Sequence, residues 1–189
     1  MAKINKELLA IMEDYNLFMD SDKQMELPIA VTNEKPNHTS SLYLEEIIHT
    51  DQSLGNNSFD CEIRNKDIKN YSFQLLTDAL SNRVLFRLDE GNGAHRNNIP
   101  NIPLEKQSVP TPHFHRYDAK GHYFAYKSKE LEELRDKPLD IQIGFSLFCK
   151  ESNIHPENSS QTIGISVQQN GNMPSSILND IDPLNGINF

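Results

Sequence analysis

Residues 59–64 alternate strictly, with Phe59, Cys61 and Ile63 apolar and Asp60, Glu62 and Arg64 polar. That period of two is the mark of a strand with one buried face. Residues 71–77 repeat it, with Tyr71, Phe73 and Leu75 on one side and Ser72, Gln74 and Leu76 on the other. Residues 83–89 place Val84, Phe86 and Leu88 inward and Arg83, Leu85, Arg87 and Asp89 outward. Short turns at 65–70 and 78–82 separate these runs, and the spacing predicts an antiparallel meander. Residues 41–48 have a partial strand composition, with Glu45 and Glu46 against it. The run H-F-H-R-Y predicts a further strand over 113–118, with His113, His115 and Tyr117 on one face and Phe114 and Arg116 on the other. After a turn at 118–121, residues 123–126 form a short extended segment.

Helical periodicity frames this run. Leu8, Ile11, Met12, Tyr15, Phe18 and Met19 fall at spacings of three and four, which predicts one amphipathic helix over 5–19 with Asn5 as its N-cap. Residues 20–40 are polar and punctuated by Pro28 and Pro36, with Ile29 and Val31 as a short extended piece. Residues 129–135 are charged and helix-prone. Residues 138–150 fit two patterns: Leu139, Ile141, Ile143, Phe145 and Leu147 alternate, whereas Ile141, Phe145 and Phe148 make a helical stripe. Pro138 behind Asp136 fits a helix start, and we read the segment as a helix. Residues 90–112 read as a long loop with two glycines and four prolines. Residues 1–155 then form a single α+β domain: a twisted antiparallel sheet of about five strands, with N- and C-terminal helices packed on one face. Residues 156–189 read as a polar, mostly irregular tail, apart from a short I-G-I-S-V run.

The formal net charge is −9, which argues against broad nucleic-acid binding through a basic surface but leaves room for a local basic pocket. Cys61 and Cys149 show no metal or redox spacing and read as buried small hydrophobes. No segment has the ~18 consecutive apolar residues of a membrane span. The first residues lack the apolar core of a secretory leader, so a cytoplasmic location is expected.

When the strand phases are combined, the face opposite the helices collects Glu62, Arg64, Gln74, Arg83, Arg87, Asp89, His113, His115 and Tyr117. Two chemistries fit this set. The first is recognition, and cleavage, of a phosphate-bearing or RNA ligand. Here His113 and His115 act as acid and base, Arg64 and Arg87 clamp phosphate, and Tyr117 and Gln74 contact the ligand. The second is a divalent metal held by His113 and His115, with His95 and Asp89, or His122, completing the shell. A third reading is non-catalytic. In it the histidines fix the course of the 90–112 loop in a module that binds a protein partner or a metal.

The runs F-D-C-E-I-R (59–64), Y-S-F-Q-L (71–75), V-L-F-R-L-D (84–89), H-R-N (95–97), P-H-F-H-R-Y (112–117) and F-A-Y (124–126) together resemble a family of small uncharacterised bacterial proteins. That family is a domain of unknown function found in mobile-element contexts, with the pattern R-L-D, H-x-N-P-D-G, H-L-H-x-Y and W-A. The resemblance spans roughly residues 40–155 and implies no activity. It favours a helix at 138–150. The chain departs from the pattern where Asn97, Asn98, Ile99 and Pro100 replace N-P-D-G, where Phe124 replaces Trp, and in the tail. If the missing Asp is a ligand or base in that family, the metal reading loses support here.

Overall fold

A computed structural model of the protein describes residues 4–91, 93–99, 101–134 and 139–168. The chain opens with α1 (Lys6–Ala10) and α2 (Met12–Asp20), followed by β1 (Lys23–Met25), β2 (Ile29–Val31) and β3 (Asn33–Lys35). Next come β4 (His38–Ile47), β5 (Asn57–Arg64), β6 (Asp67–Thr77) and β7 (Val84–Glu90). A small excursion, β8 (Ala94–Arg96) and β9 (Ser108–Pro110), precedes β10 (His113–Tyr117) and β11 (Tyr123–Tyr126). The described chain finishes with α3 (Lys129–Leu134), α4 (Ile141–Glu151), β12 (Ile154–Pro156) and β13 (Ile165–Val167). The Pro138 helix start and everything beyond residue 168 lie outside the described residues.

The protein is mixed α and β, and its main sheet has seven antiparallel strands in the order β11-β10-β7-β6-β5-β4-β3, rather than about five. The run 41–48, read as only partly strand-like, belongs to β4 up to Ile47, and β3 lies in the segment 20–40 read as polar and punctuated by prolines. β3 and β4 pair despite their charges, because pairing with β5 supplies the backbone partners. The period-two reading holds along the apolar face: Phe59, Cys61, Ile63, Phe73, Leu75, Phe86, Leu88 and Phe114 are all fully buried.

α4 supplies the cover for this face. Phe145 and Phe148 meet Phe59 and Phe73 at ring separations of 5.5–5.7 Å, and Phe148 also meets Phe86 at 5.4 Å. Each buried ring contributes roughly 1.5–3 kcal/mol. Asp140 caps α4 by accepting from the Gln142 N–H at 2.8 Å. Gly144 lets the helix approach the sheet closely: a Cβ there would lie 2.1 Å from the Tyr71 hydroxyl.

Two expectations change. The predicted helix 5–19 is two helices. Asn5 does cap the first, but Ile11 leaves helical geometry (φ −122°, ψ 28°) and its N–H closes a tight turn on the Leu8 carbonyl. The 90–112 segment is not loop throughout. It carries the β8–β9 hairpin, in which His95 opposes Val109.

The polar segments at the two ends of the described chain also pair with each other. β12 runs parallel to β1, and β13 runs parallel to β2 with Ile165 opposite Ile29. The I-G-I-S-V run is therefore a strand on its own domain. Among the described residues no helix is long and apolar enough to cross a membrane.

Candidate functional site

The polar face of β7 and β10 forms the floor of the site. Antiparallel pairing sets His113 opposite Asp89 and His115 opposite Arg87. Directly opposed residues point to the same face, so two imidazoles, a carboxylate and a guanidinium converge. The β8–β9 hairpin folds back over this floor and brings the His95 ring to 4.7 Å from His115, edge-on, and 6.3 Å from His113.

Three side chains hold the hairpin in place. Asn97 donates to the Ala125 carbonyl (2.8 Å) and accepts from the Ala125 N–H (2.7 Å), so its amide imitates a strand on the free edge of β11. The Gln107 amide accepts from the Ile99 N–H and donates to the Ile99 and Ile102 carbonyls. Thr111 donates to the Gly91 carbonyl.

One ligating atom from each of Asp89, His113 and His115 lies within 4.8 Å of the other two. Asp89 Oδ2 is 3.2 Å from His115 Nε2 and 3.9 Å from His113 Nε2. Donors about 2.0–2.1 Å from a tetrahedral ion are roughly 3.3 Å apart, so the Asp89–His115 separation already matches, and the other separations, within 4.8 Å, would close on an ion. The other Asp89 oxygen accepts from Arg87 Nε at 2.5 Å, a contact that fixes the carboxylate plane. Both histidines are almost fully buried, and the Nδ1 atoms of both lack a hydrogen bond of good geometry among the described residues.

The electrostatics hold His113 and Asp89 in ligand-like states. Burial pushes the His113 pKa down to about 4, assisted by the charge of His115 and opposed by the Pro110 carbonyl and Asp89. Burial also lowers His95, with His115 adding to the effect. Burial works against ionisation of Asp89, but His115 and Arg87 outweigh it and hold the carboxyl below its usual value. A neutral imidazole beside an ionised carboxylate is a pair suited to bind a cation.

Above the floor is a cavity of about 490 Å³, lined by Glu62, Arg64, Arg87, His95 and Tyr123 as well as the group just described. Arg64, exposed at the end of β5, contributes to its wall.

The remaining predicted residues are placed differently. Gln74 lies on the same face, opposite Arg87 and Asp60 in register, but is not part of the cavity wall. Tyr117 lines a neighbouring cavity, and its hydroxyl is taken: Asn82 donates to it at 2.6 Å and Asn5 at 3.3 Å. Arg83 sits in a left-handed turn (φ 57°) and reaches Glu45, because the strand begins only at Val84. His122 pairs with Asp118 outside the site. His49 and His155 are solvent-exposed and His38 lies on an exposed stretch of β4. Cys61 and Cys149 are buried free thiols, and burial raises both pKa values.

Sequence reading missed Tyr123, whose ring lies parallel to that of His115 (centroids 5.0 Å apart, 13° between planes). The turn at 118–121 carried the signal, since a tight hairpin there places Tyr123 opposite Tyr117. Asn97 was also missed as the residue that docks the hairpin. No family model, no curated protein and no solved structure matches this chain.

Proposed function

We propose that the protein binds a divalent transition metal through His113, His115 and Asp89, with His95 poised beside them as a fourth ligand, and presents that metal to a phosphate-bearing ligand in the cavity above. The observation that carries this reading is the mutual approach of the three ligating atoms within 4.8 Å. The second pair of cavity residues, Arg64 and Arg87, supports an anionic ligand, because guanidinium groups match phosphate oxygens. A bound divalent ion would polarise a phosphoryl oxygen and lower the pKa of a coordinated water, the chemistry of metal-assisted hydrolysis.

Two observations favour this reading over its alternatives. A metal-free acid–base pair does not call for one carboxylate oxygen beside the Nε2 atoms of both imidazoles, whereas Asp89 Oδ2 lies 3.2 Å from that of His115 and 3.9 Å from that of His113. A purely structural role for the histidines is less needed, because Asn97 and Gln107 already fix the loop. RNA is among the phosphate-bearing ligands that this reading covers.

Elemental analysis of the purified protein tests the reading directly. We expect one equivalent of zinc, iron or manganese per chain, lost in the His113→Ala, His115→Ala double variant. The same metal content in both proteins, or none after the wild-type chain is offered these ions, overturns it.

A further inference from the structure

Tyr123 separates two cavities. It lines the 490 Å³ cavity over the histidines and also the adjoining cavity of about 570 Å³ lined by Asn5, Asn82 and Tyr117. Arg87 is the other residue common to both walls.

The two tyrosines at this boundary differ in how their hydroxyls are used. The Tyr117 hydroxyl accepts from two asparagine amides. The Tyr123 hydroxyl is buried and meets no hydrogen-bond partner among the described residues. A buried phenol without a partner costs free energy, roughly that of an unmade hydrogen bond, unless something else satisfies it. A phenol keeps its proton near neutrality and is a donor. Arg87 is in a similar state: Nε is committed to Asp89, and no hydrogen bond from its terminal nitrogens is found among the described residues. The parallel stacking of Tyr123 on His115 fixes the height of the phenol relative to the imidazole floor.

From this arrangement we infer that Tyr123 is a ligand-binding residue. Its hydroxyl donates a hydrogen bond to an oxygen of a tetrahedral oxyanion held over the Asp89, His113 and His115 group, and the terminal nitrogens of Arg87 bind a second oxygen. The ligand class is a phosphate ester. Its phosphoryl group occupies the first cavity, and its organic part crosses the Tyr123 boundary into the second, whose wall is less charged and carries amide and phenol groups. This inference rests on the metal reading above and deepens it.

The test uses the full chain loaded with Co²⁺, whose visible absorption reports on both occupancy and ligand exchange, titrated with inorganic phosphate. Tyr123→Phe keeps the ring stacked on His115 and removes only the hydroxyl. We expect the variant to bind one equivalent of cobalt as the wild-type chain does, and to bind phosphate about tenfold more weakly, the worth of one good hydrogen bond. Equal phosphate affinity in the two proteins overturns the assignment of Tyr123. A wild-type cobalt protein whose spectrum ignores phosphate overturns the ligand class while leaving the metal site standing. A wild-type chain that takes up no cobalt overturns the metal reading and this inference with it.

Discussion

The Asp89 carboxylate stands nearer to His115 (3.2 Å) than to His113 (3.9 Å), although His113 is its direct partner in the strand register. The side chain leans along the sheet, drawn by Arg87, which holds its second oxygen. One carboxylate thus touches both imidazoles and one guanidinium. Asp89→Asn keeps the shape and removes the charge. We predict that zinc affinity, read by competition with a chromophoric chelator, falls by about a hundredfold or more, beyond the range typical of indirect partners. A variant that binds zinc as tightly as the wild-type chain would remove Asp89 from the ligand set.

His113 makes the metal-free protein sensitive to acid. Its folded-state pKa is about 4, against about 6.5 when unfolded. Between those values the unfolded chain binds a proton that the folded chain does not. Stability therefore falls as pH drops from about 6.5 to about 4, and above that window the residue contributes no pH dependence. Asp60 acts in the opposite sense. Burial raises its pKa to about 6, so its contribution is present at low pH and is lost as pH rises from about 3.8 to 6. In chelator, His113→Phe is expected to remove roughly 2 kcal/mol of the acid-induced loss, measured by urea unfolding at pH 7.5 and pH 4.5. Parallel losses in variant and wild type would contradict this.

Asn97 joins the hairpin to the β11 edge by two hydrogen bonds that engage both ends of its amide. Asn97→Ala should cost about 1–2 kcal/mol, from two bonds at the edge of the fold. It should also weaken zinc binding by freeing His95, while His113 and His115 stay in place on β10. Combining Asn97→Ala with His95→Ala separates the effects. If Asn97 acts through His95, the double variant binds zinc no more weakly than His95→Ala alone.

Gly144 of α4 faces the Tyr71 hydroxyl, which donates to the Leu139 carbonyl at 3.1 Å. Gly144→Ala forces a methyl into that contact and should cost about 1–3 kcal/mol, although alanine is the better helix former. Adding Tyr71→Phe should recover part of the loss. It removes the atom at 2.1 Å but leaves the ring carbon at 2.9 Å. A denaturation midpoint unchanged by Gly144→Ala would show that helix and sheet can separate at no cost.

The sequence exposed those features of the site that repeat with a short period. His113, His115 and Asp89 share a face because each strand alternates, and Phe59, Cys61, Phe73, Phe86 and Leu88 share the opposite face for the same reason. Reading failed where the period breaks. A register shift between Leu75 and Leu76 accompanies the burial of Leu85, read as outward, and the left-handed turn at Arg83 removes that residue from the strand. Tyr117 lay on the expected face, but the two amides that occupy its hydroxyl come from Asn5 and Asn82, neither of which any local pattern links to it. The mixed signal at 138–150 resolved to a helix over Ile141–Glu151, where Asp140 provides the cap. Three-residue parallel pairs such as β2 with β13 carry too few positions for alternation to be seen at all.

That last pairing has a consequence for how the chain is made. Ile29–Val31 waits for Ile165–Val167, and Lys23–Met25 waits for Ile154–Pro156. At roughly 5–20 residues per second, a ribosome needs on the order of ten seconds to deliver the later partner. During that interval Ile29 and Val31, buried together in the folded chain, lack their later strand partner, and an unpaired strand edge invites pairing with a neighbouring nascent chain. The acidic segments around them, Asp20 and Asp22 before β1 and Glu26 between the two strands, provide like-charge repulsion between copies during synthesis.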